Sequence, residues 1–121
     1  MSKRVLALGL DPKFSDLTKM KGLTPDVIRS FIDEQIERVR SFGYEVKSCL
    51  VDTGATAELV LARLLEAEQF DCVVIGAGLR DSDRLLLFER LLNVVHEKAG
   101  SARVCFNTTP ADTAEAVRRW V

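Results

Sequence analysis

Four short apolar runs alternate with longer segments of helical periodicity, and this alternation restricts the possible folds more than any other feature of the chain. Between the runs, apolar residues recur every three or four positions, which is typical of amphipathic helices. The predicted strands that contain these runs are residues 5–10, 44–51, 71–75 and 102–106. A strand followed by a helix, repeated four times, predicts a parallel sheet with helices on both faces. The expected fold class is α/β, with one flavodoxin-like or Rossmann-like three-layer sandwich spanning residues 1–121.

The polarity of the four runs predicts the order of the strands in the sheet. Residues 5–10 and 72–75 are apolar without interruption, as in strands that are covered on both faces. The second and fourth runs carry Lys47 and Arg103, which favours positions at the edges of the sheet. With right-handed crossovers, the order 2-1-3-4 follows. The first and last helices then cover one face, and the middle two cover the other.

Capping residues predict where the helices begin and end. Thr24, followed by proline and aspartate, begins the first helix, and Gly43 ends it in a left-handed conformation. Asp81 or Ser82 is expected to cap the third helix, and Thr109 the fourth, which runs to the C-terminus and carries Trp120. The apolar face expected for the first helix consists of Ile28, Phe31, Ile32, Ile36, Val39 and Phe42.

Composition excludes several classes of function. The 17 basic and 18 acidic residues give a net charge of −1, which argues against nucleic acid and membrane surfaces as partners. No apolar run approaches the roughly 18 residues of a membrane helix. Cys49, Cys72 and Cys105 are widely spaced and suit small buried side chains in a reducing cytoplasm. His96, the single histidine, lies late in the third helix, so neither histidine-dependent catalysis nor a zinc site is expected.

A binding site is expected between the first and third strands, at their carboxyl ends, because the strand order reverses there. A Gly-Ala-Gly turn after the third strand would let a backbone approach a phosphate, and an arginine fork and neutral donors would add hydrogen bonds. The candidate ligand-binding residues are Asp11, Gly76, Gly78, Arg80, Asn107 and Thr108. Turn and cap formation explains the same residue types, so both interpretations stay open. No cofactor is evident; the expected ligand is a phosphate or nucleotide.

The long connection over residues 12–23 is a candidate lid for this site. It carries Lys13, Lys19 and Lys21, whose charges would attract an anion. Connections of this length without secondary structure are uncommon between elements of a compact domain. The binding-module hypothesis therefore combines the strand ends with this connection.

Two other hypotheses arise from the sequence. Leu85, Leu86, Leu87 and Phe88 follow one another near the start of the third helix, which is more apolar surface than one buried stripe needs. A homo-oligomer that uses this helix is the alternative to the binding module. The enzyme hypothesis would use Asp11 or Asp52 as an acid or base, and Arg80 as its electrostatic partner. No residue pattern names a reaction, and whether the protein is an enzyme stays open.

Two resemblances accompany this interpretation. Residues 73–80 with the following leucines, and Asp11 after the first strand, resemble the penultimate strand–helix unit of universal stress proteins, some of which bind nucleotides. The longer phosphate-binding glycine pattern of those members is missing after Gly78, and this chain is expected to have one strand fewer. Residues 88–96, 105–108 and 112–117 resemble a small bacterial α/β family of unknown function.

Overall fold

Strands and helices alternate along the chain as the hydrophobic pattern predicts. The computed structural model describes residues 2–15 and 22–121, and over these residues four strands alternate with four α-helices. In chain order they are β1 (Arg4–Leu10), α1 (Pro25–Ser41), β2 (Glu45–Val51), α2 (Thr56–Ala67), β3 (Cys72–Ile75), α3 (Leu85–Lys98), β4 (Arg103–Phe106) and α4 (Thr113–Arg118). Short 3₁₀ turns occupy Pro12–Phe14, Ala77–Leu79, Ser82–Arg84 and Pro110–Asp112.

The sheet is parallel throughout and has the strand order β2-β1-β3-β4, which confirms the predicted topology. β1 lies between β2 and β3, so that Val5 is level with Val46 on one side and with Cys72 on the other. β4 completes the sheet beside β3, with Phe106 opposite Ile75. The carboxyl ends of β1 and β3 therefore meet at the centre of one edge, where the strand order reverses.

Each face of the sheet has its own hydrophobic core. On one face, Leu61 of α2 and Leu91 of α3 pack against Leu8 and Ile75 of the central strands. On the other face, α1 and α4 pack against the same strands from the opposite side, through residues such as Val39 and Val117. The predicted distribution of helices is confirmed. Cys49, Cys72 and Cys105 are all buried free thiols, as their apolar surroundings indicate.

The predicted apolar face of α1 is only partly buried. Ile36 and Val39 are buried, but Phe31 and Phe42 are 40% and 43% exposed, so the predicted apolar face extends beyond the core. Phe42 lies at the C-terminal end of α1, where the guanidinium groups of Arg38 and Arg118 stand over its ring at 5.6 and 4.3 Å from the centroid. Periodicity alone does not reveal this cation–π arrangement, because Arg118 belongs to another helix.

Three predicted helix boundaries need correction. Thr109 caps the 3₁₀ turn that precedes the last helix, so α4 begins at Thr113. Asp81 caps the short 3₁₀ turn that precedes α3, because its carboxylate accepts a hydrogen bond of 3.0 Å from the backbone of Asp83. α3 therefore begins at Leu85. The last helix ends at Arg118 instead of continuing to the C-terminus, and Trp120 is half-exposed beside the guanidinium of Arg103. Gly43, with φ of +95°, ends α1 in the predicted left-handed conformation.

The third helix buries one stripe and leaves two leucines largely exposed. Leu87, Leu91 and Val95 are buried, whereas Leu85 and Leu86 are 59% and 68% exposed. The helix has 14 residues, which is too short to cross a membrane. Within residues 2–15 and 22–121, no helix combines the length and the apolarity of a membrane span.

Two leucines of α3 give a matched test of this packing. Leu91 is 0% exposed, so Leu91→Ala should lower the free energy of unfolding by about 3 kcal/mol, because a cavity adds to the lost transfer energy. Leu86→Ala in the same helix should change it by less than about 0.5 kcal/mol. Urea denaturation measures both values. Equal losses in the two variants would contradict the assignment of the buried stripe.

The pairing of α1 with α4 predicts a specific response to acid. Arg38 binds both carboxylate oxygens of Glu115, and this lowers the pKa of Glu115 from 4.5 to about 2. Since the folded pKa is depressed, the pair stabilises the fold fully above pH 4.5, and its contribution is lost as the pH falls toward 2. The Tm difference between wild type and Glu115→Gln should shrink over that interval. Glu34→Gln controls for the loss of one negative charge.

Candidate functional site

A cavity of about 180 Å³ lies at the point where the strand order reverses. It separates the N-terminal half of α1 from the sheet and opens toward the carboxyl ends of β1 and β3. Ile28, Ile32 and Ile36 contribute one wall from successive turns of α1, and Leu50 and Val74 contribute the opposite wall from the sheet. The position agrees with the site predicted from topology, but the walls are far more apolar than the predicted cluster of polar strand ends.

Small residues of the sheet and of the turn after β3 make room for this cavity. Ala7 and Gly9 of β1 line it, as do Gly76 and Gly78. A Cβ atom added to Gly9 would lie 3.3 Å from the Leu50 side chain, which shows how closely the backbone and its neighbour approach. Gly76 and Gly78 are predicted to be backbone donors to a phosphate, and the structure places both in the cavity wall.

Asn107 is the buried polar side chain that connects the predicted site residues to this cavity. It follows β4, lines the cavity, and is almost completely buried. Its Oδ1 accepts a hydrogen bond of 3.1 Å from Nη2 of Arg80, and its Nδ2 donates one of 3.1 Å to Oγ1 of Thr113. The Thr113 hydroxyl in turn donates to the carbonyl oxygen of Pro110 at 2.7 Å. This chain of hydrogen bonds fixes the orientation of the Asn107 amide.

Arg80 joins the ends of β3 and β4. Its Nε donates to the carbonyl oxygen of Ile75 at 3.1 Å, and its Nη2 donates to both the backbone and the side-chain oxygen of Asn107. The guanidinium also lies 4.9 Å from the centroid of the Phe106 ring. Burial lowers the pKa of Arg80, an effect that nearby Asp112 partly offsets. The arginine fork predicted to hold an anion therefore binds backbone and amide oxygens and acts on the cavity through Asn107.

Asp11 and Thr108 take part in turns and caps, and neither lines the cavity. The Asp11 carboxylate accepts a hydrogen bond of 3.1 Å from the backbone of Lys13 and so caps the turn that follows β1. Thr108 donates to Asp112 through its backbone at 2.8 Å and through its hydroxyl at 2.5 Å. Partial burial alone would raise the pKa of Asp112, but these hydrogen bonds lower it. The contacts of Asp11 and Thr108 are therefore those expected of turn and cap residues, which is the alternative to ligand binding.

The predicted lid consists of residues 12–23, of which the structure describes 12–15 and 22–23. Lys13 belongs to the turn after β1, and its ammonium lies 3.9 Å from the Asp11 carboxylate. Lys19 and Lys21 lie outside the described residues. A lid over the site therefore stays a prediction of the sequence.

The carboxylates of the enzyme hypothesis are held in turns. Asp52 accepts hydrogen bonds from the hydroxyl of Thr56 and from the backbone of Gly54, and these lower its pKa. A carboxylate with a lowered pKa is a weaker general base. Asp11 is likewise bound within a turn, and Arg80 binds oxygens at the strand ends. The contacts of these three residues therefore favour a structural role over acid–base chemistry.

Three polar residues of the cavity lining are not among the predicted site residues. Ser48 on β2, Gln35 on α1 and Thr113 at the start of α4 supply neutral polar groups to the lining. A detectable signal existed in β1, where alanine and glycine occupy alternate positions that face the isoleucines of α1. The proximity of Cys72 and Cys105 was also missed; their Sγ atoms lie 3.4 Å apart across β3 and β4. The hydrogen bond with Cys105, together with burial, raises the pKa of Cys72.

The chemistry of the lining limits what the cavity can hold. Among the described residues, no charged side chain lines it. Polar contacts come from side-chain hydroxyl and amide groups. Over the same described part of the chain, no group of three or more histidine, cysteine, aspartate or glutamate residues is arranged to hold a metal ion.

Comparison with known proteins yields two weak similarities. No family model matches the chain. The large chains of carbamoyl phosphate synthase from two Mycobacterium strains, JLS and MCS, are each 30% identical to it over 119 residues. These alignments include 92% of this chain but only 10% of each relative. The chain thus spans about a tenth of the length of the curated relatives that it matches.

The role of Arg80 as a link between strands can be tested by substitution. Arg80→Ala should lower the free energy of unfolding by about 2 kcal/mol, because it leaves the carbonyl oxygen of Ile75 and both oxygens of Asn107 without their charged donor. Arg80→Lys should recover only part of this loss, since an ammonium cannot reproduce the planar fork. Urea denaturation gives both values. Wild-type stability in Arg80→Ala would contradict this role.

Proposed function

We propose that this domain binds a small ligand in the cavity at the carboxyl ends of β1 and β3. The observation that carries the proposal is the cavity of about 180 Å³ at the reversal of strand order, with Asn107 oriented in an otherwise mostly apolar wall. Open parallel sheets bind ligands at this point. An apolar enclosure with a few fixed polar groups is also the usual composition of a ligand site.

The volume favours a small ligand, or one end of a larger ligand. Pockets for drug-sized molecules begin near about 300 Å³, so this cavity is too small for a whole nucleotide. If the ligand carries a phosphate, as the sequence suggested, that group would lie at the mouth, near the backbone of Gly76 and Gly78. The mycobacterial relatives are named for carbamoyl phosphate, which makes this anion one compound to test.

Binding without catalysis is the function that the side chains favour. Asp11, Asp52 and Arg80 are the residues that an acid–base mechanism would use, and all three are engaged in turns or strand ends. The buried cysteine thiols are compatible with a reducing compartment. We therefore propose a ligand-binding module of the cytoplasm.

A thermal-shift panel tests this proposal directly. It would contain inorganic phosphate, carbamoyl phosphate, nucleotides, sugar phosphates, coenzyme A, divalent metals and small neutral ring compounds. A ligand at 100 times its Kd stabilises the folded state by about 2.7 kcal/mol, so one class should raise Tm saturably. Ser48→Leu places a larger side chain in the cavity wall and should suppress that rise, whereas Ser101→Leu, at an exposed loop position, should not. A ligand that stabilises both variants equally binds elsewhere.

We also propose self-association through the outer side of α2 and α3. Leu85 and Leu86 are the most exposed large apolar residues of α3, and Leu59 and Val60 of α2 are half-exposed. Apolar side chains gathered on one side of a domain are typical of contact surfaces. Burial against a second copy of the chain would remove them from water.

Light scattering at tens of micromolar tests the association. Wild type should scatter as a dimer or larger species, and Leu86→Lys should lower the apparent mass toward that of a monomer, because a lysine ammonium is costly to bury without a partner. Val27→Lys provides the matched control, since Val27 is also half-exposed but lies on α1. A monomeric wild-type protein would exclude this surface as a self-association site at that concentration.

A further inference from the structure

We infer that the cavity holds an uncharged, compact hydrocarbon group of a ligand, of the size of a benzene or indole ring, and that Asn107 binds an acceptor oxygen attached to it. This inference rests on the proposed ligand-binding function and specifies its ligand class. The volume of about 180 Å³ suits such a group. A dry apolar cavity of about 150 Å³ is large enough to bind benzene.

The walls select against a charged group inside the cavity. Ile28 and Ile32 face Leu50 and Val74 across the space, and among the described residues no lining side chain carries a charge. An ionised group buried without a partner is strongly disfavoured, because it loses its hydration and gains no opposite charge. Arg80, which contacts the lining residue Asn107, already donates to Ile75 and to Asn107. A carboxylate attached directly to the buried ring is therefore disfavoured, and a charged group on a longer ligand would stay at the mouth.

The hydrogen bonds of Asn107 define which polar group the ligand carries. A guanidinium can only donate, so the atom of Asn107 that faces Arg80 must be the oxygen, and the NH₂ group must face Thr113. The Thr113 hydroxyl gives its own hydrogen to Pro110 and therefore accepts one hydrogen from Asn107. The second hydrogen of Nδ2 is the donor that Asn107 offers to a ligand. Arg80 is a positioning residue, because it fixes this orientation without lining the cavity.

The matching ligand class is a small ring or branched hydrocarbon that bears a carbonyl, amide or hydroxyl oxygen. An aromatic or alicyclic ring fills a compact space with little loss of conformational freedom, which an extended chain could not do. Ser48 and Gln35 offer further neutral hydrogen-bonding groups on the side of β2 and α1. Among the described residues, no lining side chain favours a free phosphate over such a group.

Amide NMR spectra of the ¹⁵N-labelled full chain test the inference with defined probes. Benzamide, benzoate and inorganic phosphate would be titrated separately, and xenon would be applied under pressure as a probe of dry apolar space. Benzamide should shift the backbone amides of Gly9 and Gly76 and the side-chain NH₂ signals of Asn107 saturably. Xenon should shift the same backbone signals. Benzoate and phosphate should shift them at least tenfold less at equal concentration.

Matched variants and outcomes separate this inference from the proposed function. Ser48→Leu should abolish the benzamide shifts, while Ser101→Leu should retain them. The xenon measurement on wild type needs no substitution, so it remains decisive if Ser48→Leu fails to fold. Absence of saturable benzamide and xenon shifts overturns the inferred ligand class. If phosphate or a nucleotide then shifts the cavity signals, the proposed function stands; if no compound does, both fail.

Discussion

The placement of β1 between β2 and β3 is the constraint on which the rest of the structure depends. Its backbone pairs on both sides, and its side chains are covered on both faces. Because the crossover connections are right-handed, the chain must leave β1 toward one edge and cross back to begin β3. The reversal of strand order, the division of the helices between two faces and the opening at the carboxyl ends all follow from this arrangement.

The cavity results from how α1 is attached to this sheet. Ile36 and Val39 anchor its C-terminal half in the core, and the ion pair of Arg38 with Glu115 connects that half to α4. The N-terminal half lies over alanine and glycine of β1, which are too small to fill the space beneath it. Interiors are normally packed to the density of organic crystals. A space of this size is therefore unusual. It lies at the edge of the sheet where open parallel folds bind ligands.

At the strand ends, residue type alone does not distinguish a ligand contact from a turn or cap contact. Asp11, Asp52 and Thr108 make exposed hydrogen bonds to backbone or neighbouring polar groups at turns, as turn and cap residues do. Asn107, which no cap requires, lines the cavity together with Gly76 and Gly78. Arg80 was expected at the same edge and is found there, but its partners are strand-end oxygens. Composition at a strand end thus predicted which residues gather at this edge of the sheet better than it predicted their contacts.

The sequence by itself determined the elements, their order and the burial of the central strands, because these depend on local periodicity and on the cost of exposing apolar runs. It also determined the start of α1 at Thr24 and the capped turn at Thr109, since capping is a contact between residues close in the chain. Only the tertiary structure decided that Arg80 turns to Asn107, that Phe42 lies under Arg118, and that three isoleucines face a space. These depend on distances between elements far apart in sequence, which are set when the helices pack on the sheet.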